Sequence, residues 1–177
     1  GFRIVRSERA ARGSIQTAAR GEDEQRRCGG SPHDRSSSHT SHAKASLLAT
    51  PIPENLLQNG WFVGTQAYTF KEFSAFEAIA KTKEAGGNLI EFYPGQTLKP
   101  GSQDKVGHTM SAAAMAELKA ECARQGVRPV NYGVVGAKNP EEVRAIMEFA
   151  KKMELYAVCT ESTEQIAAWE ACAKEFD

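Results

Sequence analysis

Four times along the chain an apolar, β-rich stretch gives way to a segment with helical spacing, and this alternation most constrains the fold. The first strand runs from Trp61 to Tyr68. Thr69 followed by Glu72 predicts a capping box, and Phe73, Phe76, Ile79 and Ala80 then recur at helical spacing until Gly86-Gly87. The second strand, Asn88 to Tyr93, stops at Pro94-Gly95 and opens a loop to Thr109 rich in Gly, Pro and Lys. Ser111 predicts an N-cap for a helix over 112–125, with Met115, Leu118 and Cys122 along one stripe and Gly126 as its stop. The third strand spans 127–135. Asn139, Pro140 and Glu142 then predict a helix start, with Val143, Ile146, Met147 and Ala150 facing inward. The fourth strand spans 155–160, and Ser162 with Gln165 predicts a last helix whose apolar side is Ile166, Trp169, Cys172 and Ala173.

Strands alternating with helices in this order imply right-handed crossovers and a parallel sheet. Two architectures satisfy the pattern, a doubly wound open sheet and a TIM barrel. The turn Tyr68-Thr69-Phe70-Lys71 lacks the glycine fingerprint of a dinucleotide site, which disfavours the first. Four β-α units are half of the eight that close a barrel. The expected class is α/β: a parallel (β/α)4 half of a TIM barrel, preceded by a disordered N-terminal tail. Half a barrel leaves open sheet edges through which self-association is expected.

The tail reading comes from residues 1–46, which hold no sustained period and carry nine Lys/Arg against five Asp/Glu. Such a segment buries too little apolar surface to offset the entropy of ordering it. With the linker around Thr50-Pro51-Ile52-Pro53, the expected division is residues 1–58 as tail and linker and residues 59–177 as the half-barrel. His33, His39 and His42 lack Cys or carboxylate partners at ligand spacing and are read as solvated. Net charge is zero, and the balance turns acidic after residue 46, so no nucleic-acid partner is expected. No apolar run approaches the ~18 residues of a membrane span, and Ala43–Ala49 is too short for a signal core. A cytoplasmic location without a membrane partner follows. The four cysteines form no C-x-x-C pair and are read as reduced, small apolar residues.

From Gly60 to Asp177 the chain resembles the sugar phosphate isomerase/epimerase superfamily, the xylose-isomerase-like TIM barrels. The carrying residues are Gly64–Phe70, Asn88–Tyr93, Val130–Gly133 and Val158–Glu161, together with the helix Phe76–Gly86. The resemblance implies metal-assisted proton transfer next to the carbonyl of a sugar or sugar phosphate. The divalent ion would be manganese, magnesium, zinc or cobalt. It also implies that the ion's ligands belong to strands five to eight, so no metal ligand is assigned here. The chain is expected to act as the N-terminal half of such a barrel, inactive by itself. Two alternatives stay open: an apurinic-endonuclease-like metal hydrolase on the same barrel, and a non-enzymatic half-barrel that assembles with a second chain.

Barrel chemistry sits at the C-terminal strand ends. On the second strand Leu89, Glu91 and Tyr93 share one face and Ile90 and Phe92 the other, so the apolar pair suits the helices and Glu91 points inward. A carboxylate there is costly unless paired or solvated. Glu91, Glu161 and His108 are the candidate catalytic residues. Glu161 follows the fourth strand directly. His108 lies in the long loop, flanked by Lys99 and Lys105, which suit an anionic substrate. Gln66, Tyr68, Asn131 and Tyr132 are the candidates for binding sugar hydroxyls and rings. The rival readings are an interior salt bridge for Glu91, a first-turn acid for Glu161, a solvated loop residue for His108 and ordinary packing for each tyrosine.

Overall fold

The computed structural model describes the backbone of residues 2–6 and the chain over 51–176. In chain order its elements are β1 (Phe2–Arg6), β2 (Leu57–Gln58), β3 (Trp61–Gln66), α1 (Ala75–Glu84), β4 (Leu89–Phe92), α2 (Ala112–Gln125), β5 (Arg128–Tyr132), α3 (Pro140–Lys152), β6 (Ala157–Val158) and α4 (Ile166–Phe176). Short 3-10 turns cover Glu54–Leu56 and Ala67–Phe70. The sheet order is β1-β3-β4-β5-β6. The four strands from β3 to β6 run parallel, and β1 lies antiparallel on the outer edge of β3. The fold is a curled α/β half-barrel, mostly parallel, with helices alternating along it.

The tail and linker expected over 1–58 lie mainly outside the described residues, as do Cys28, His33, His39 and His42. Where that stretch is described, it has structure the sequence reading did not anticipate. Phe2–Arg6 is a strand, with Phe2 opposite Thr65 and Arg6 opposite Trp61. Leu57 and Gln58 pair with Phe62 and Trp61 across Asn59-Gly60. Both turn residues have positive φ, 51° and 80°, the geometry that suits a tight Asn-Gly hairpin. The hairpin is held under β4, where Asn88 Nδ2 donates to the Leu56 carbonyl at 2.7 Å and Gln58 Nε2 donates to the Gly86 carbonyl at 3.0 Å.

The two sheet faces divide as strand alternation requires. Ile90, Phe92 and Tyr132 point outward into the main core, where Ile79, Leu118, Val143 and Ile146 of the helices meet them. Phe62, Leu89 and Val130 point to the inner face and form a smaller cluster with Ile52, Leu56 and Leu57 at its base. Thr65 and Thr82 bring polar atoms into the packed region. Their hydroxyls lie 2.5 Å apart and Thr82 also donates to the Ala78 carbonyl at 2.8 Å, so no donor is stranded.

Helix starts show where local signals suffice. Ser111 and Asn139 cap α2 and α3, accepting from Ala114 and Glu142 at 3.1 and 2.8 Å, and Gly126 stops α2 at φ 65°. The start of α1 is a correction. Thr69 falls in the 3-10 turn, and the capping box belongs to Ser74 and Glu77 instead. The deciding contacts come from the loop after β4. The carbonyls of Thr97 and Leu98 accept from Ala75 and Phe76 at 2.8 and 3.1 Å, taking donors a helix start leaves open. With the start moved, Phe73 falls outside the helix, half-exposed under the Lys81 ammonium. The last unit is also shorter than expected: β6 has two residues, α4 starts at Ile166, and Ile166 is exposed while Cys172 and Phe176 are buried.

Cys122 and Cys172 are free thiols. Burial pushes the Cys122 thiol up to about 12, which suits a small apolar residue rather than a nucleophile. Among the described residues no helix is long and apolar enough to cross a membrane.

Strands β3 and β4 approach so closely at Gly64 that a Cβ there would stand 2.5 Å from the Leu89 carbonyl oxygen. Gly64→Ala is expected to lower stability by about 1–3 kcal/mol in urea unfolding. Ser74→Ala is expected to lose about 1 kcal/mol as its cap is removed. Wild-type stability for both variants would contradict the β3–β4 approach and the position of the α1 start.

Candidate functional site

At the C-terminal ends of three adjacent strands, Gln66, Glu91 and Asn131 stand side by side. Register makes the row: Gln66 pairs with Glu91 across β3 and β4, and Glu91 pairs with Asn131 across β4 and β5. The second pairing depends on an irregularity. Ile90 faces Pro129, yet Glu91 faces Asn131, so Val130 is an extra residue on β5. A bulge of this kind re-aims the side chains beyond it. Without it Val130 would oppose Glu91. With it, Val130 fills the apolar base of the inner face and Asn131 joins the polar row.

Glu91 is only 4% exposed. Gln66 Nε2 donates to its Oε1 at 2.7 Å and Asn131 Nδ2 donates to its Oε2 at 3.3 Å. A buried carboxylate is tolerable when hydrogen-bond donors replace the water it has lost, and these two amides supply that compensation. Asn131 Oδ1 is itself buried and accepts no hydrogen bond from the described residues.

Above the row lies a cleft of about 360 Å³ lined by Gln66, Tyr68, Tyr93, Pro94, Gly133 and Val134. Tyr68 and Tyr93 meet edge to face with ring centres 5.1 Å apart, and Tyr68 stays 54% exposed. Burial holds the Tyr93 phenol above its ordinary value, with smaller contributions from Tyr68 and Glu72. Gly133 is required here, since a Cβ would stand 2.6 Å from Cys159 Cβ. The loop after β4 forms one shoulder of the cleft and is tied down by its own pairing. Val106 donates to the Gln96 carbonyl and Gly95 to the Val106 carbonyl, both at 2.8 Å. The Gln96 amide donates to the Phe73 carbonyl at 3.1 Å.

The structure therefore brings together Gln66, Tyr68, Glu91 and Asn131 from the sequence-derived set. Three others are elsewhere. Tyr132 alternates with Asn131 and so points to the helix side, fully buried, with its ring 4.9 Å from that of Phe149. It is a core residue and does not line the cleft. His108 packs on that same side, its ring 6.5 Å from Tyr132 and its Nε2 3.6 Å from Glu142 Oε1. There it borders a groove between α2 and α3 rather than the strand ends. Glu161 is exposed in the loop between β6 and α4, and no contact among the described residues joins it to Glu91. Lys99 and Lys105 bind Glu117 and the Thr97 hydroxyl. Tyr93, Pro94, Gly133 and Val134 were missing from the sequence-derived set. Tyr93 was within reach of that reasoning, because it shares the alternation that points Glu91 inward.

These residues do not fit the divalent ion that the family resemblance implies. Among the described residues no three His, Cys, Asp or Glu side chains converge, and both Glu91 oxygens receive amide N–H groups.

No family model matches the sequence, and no curated protein matches it. The fold is similar to the crystal structure of an uncharacterized protein from Parabacteroides distasonis ATCC 8503. The two share 26% identity and a TM-score of 0.61 over 64% of this chain and 49% of that one. The chain thus spans about half the length of that structure.

The separation of Tyr132 from the cleft is measurable. Burial pushes its phenol from 10.0 up to about 12. A folded value raised above the unfolded one gives stability that is complete below pH 10 and lost as pH rises through about 12. In a spectrophotometric titration Tyr132→Phe is expected to remove the latest-ionising tyrosine. Loss of an early step instead would put Tyr132 at the surface.

Proposed function

We propose that this chain is the sugar-binding N-terminal half of a barrel of the sugar (phosphate) isomerase/epimerase type. The observation that carries the reading is the buried Glu91 carboxylate, clamped by Gln66 and Asn131 at the C-terminal strand ends beneath a cleft that holds two tyrosines. Barrel enzymes keep their chemistry at this end of the strands. A hydrogen-bonding amide beside the exposed Tyr68 ring and the half-buried Tyr93 ring suits a hydroxylated ring with one polar edge and one apolar face.

The reaction class implied by the resemblance is proton transfer next to a carbonyl. Within it, the residues of this chain bind and orient. Glu91 is enclosed and turned toward two amides, so its part is to hold Gln66 in place. Tyr68 and Tyr93 offer ring edges and faces to the ligand, and Pro94 and Val134 keep water from its apolar side. The groups that would move a proton are not assigned among the described residues.

The test is an NMR titration of the 177-residue chain with D-xylose, D-fructose and their phosphate esters. Saturable shifts confined to Gln66, Tyr68, Tyr93 and Val134 are expected with at least one ligand. Gln66→Ala should weaken that binding by about tenfold, the worth of a lost hydrogen bond. The chain by itself is expected to turn over no sugar with manganese or magnesium added. Absence of any saturable shift would remove the sugar-binding reading, and robust turnover would refute the half-site reading.

A further inference from the structure

We infer that Gln96 is a positioning residue of the cleft: from within the loop after β4 its buried amide pins the turn that carries Tyr68, so the aromatic wall stands formed before a ligand arrives. The inference rests on the sugar-binding reading above for what the wall receives, but not for the geometry of the wall.

Of the two cleft rings Tyr68 is the more exposed, and it sits in the short 3-10 turn Ala67–Phe70. Turns of this kind have poor hydrogen-bond geometry and hold little by themselves. Here Lys71 N–H donates to the Tyr68 carbonyl at 3.2 Å and Phe73 N–H to the Phe70 carbonyl at 2.9 Å. Neither bond reaches beyond the segment. Gln96 supplies a grip from outside it. The residue is 2% exposed, and its Nε2 donates to the Phe73 carbonyl at 3.1 Å and to the Phe70 carbonyl at 3.5 Å. A carboxamide nitrogen carries two N–H groups, enough for both. Carbonyls only accept, so turning the amide over would set its oxygen against two others. Its partners therefore fix its polarity.

The backbone of Gln96 belongs to the other wall. Its carbonyl accepts from Val106 at 2.8 Å, and the Val106 carbonyl accepts from Gly95 at 2.8 Å, which fastens the residue into the loop that begins at Pro94. Gln96 thus joins the two segments whose rings, Tyr68 and Tyr93, meet with centres 5.1 Å apart. Packing alone does not account for an amide here. An apolar side chain would fill the same space, whereas the amide leaves its Oε1 buried without a partner among the described residues, which is destabilising. What the amide adds is the hold on two carbonyls of the Tyr68 segment. A wall held in this way binds without first having to order itself.

The experiment uses the 177-residue chain and Gln96→Met, which keeps the length and apolar bulk of the side chain but donates nothing. Without ligand, the wild type is expected to show ring-to-ring NOEs between Tyr68 and Tyr93. Gln96→Met should lose them while the amide shifts of Ala114 and Glu142, at the caps of α2 and α3, stay unchanged. Its affinity for D-fructose should fall about three- to tenfold, the cost of ordering one side chain on binding. Gln96→Glu gives a second reading that packing would not move, and it decides alone should Gln96→Met fail to fold. The introduced carboxyl donates to the Phe73 carbonyl only when protonated, so the ring NOEs should be absent while its carbon shift reports ionisation and return as pH is lowered. Ring NOEs that persist in folded Gln96→Met, or in Gln96→Glu with the carboxyl ionised, would overturn the inference whether or not sugar binds. NOEs lost on substitution, in a chain whose wild type binds no D-fructose, would uphold the pin and overturn only the sugar-binding reading.

Discussion

A carboxylate almost without solvent contact organises the inner face of this fold. Glu91 loses its water when the strand ends come together, and the loss is large unless donors replace it. The replacements come from the two neighbouring strands, one amide on each side. Three strands are thus joined at their C-terminal ends by side-chain bonds as well as by their backbone ladder. Misalignment of β3 or β5 would cost Glu91 one of these donors, so the need to satisfy one charge helps hold the register of three strands.

What lies above and below the row follows from that placement. Below it the inner face is apolar and small, closed by Phe62, Leu89 and Val130 against the hairpin residues Leu56 and Leu57. Above it the chain must leave the strands, and the departing segments make the cleft. Tyr68 comes from the 3-10 turn after β3, Tyr93 and Pro94 from the end of β4, and Gly133 and Val134 from the end of β5. The loop after β4 has a second duty, since its Thr97 and Leu98 carbonyls hold the first turn of α1. One wall of the cleft is therefore braced against the helix layer.

Much of this was legible in the chain. Caps with short-range partners read correctly: Ser111 for α2 and Asn139-Pro140 for α3 act on residues three positions away. The inward direction of Glu91 followed from alternation with Ile90 and Phe92. The Asn59-Gly60 hairpin is absent from the sequence-based expectation, because its strand Leu57–Gln58 is too short to show a period. The α1 start was misplaced because Thr69 and Glu72 satisfy the capping pattern locally, while the contacts that select Ser74 come from more than twenty residues downstream. Tyr132 ends the same strand as Asn131, but neighbours on a strand face opposite sides, so it lies in the core and not in the cleft. His108 was placed near the site by its loop, and the fold carries that part of the loop outward to Glu142.

The sequence by itself determined the alternation of elements, the faces of the longer ones and the presence of an inward acid on the second parallel strand. These depend on interactions within a few residues and on strict periods of 2 and 3.6. Tertiary structure alone decided which residue stands beside that acid. An extra residue at Val130 shifts one strand against another, and only the pairing of β4 with β5 shows that Asn131 is the partner. It also decided that the Gln66 amide donates to a carboxylate 25 positions later in the chain, because the parallel pairing of β3 with β4 sets the two side by side.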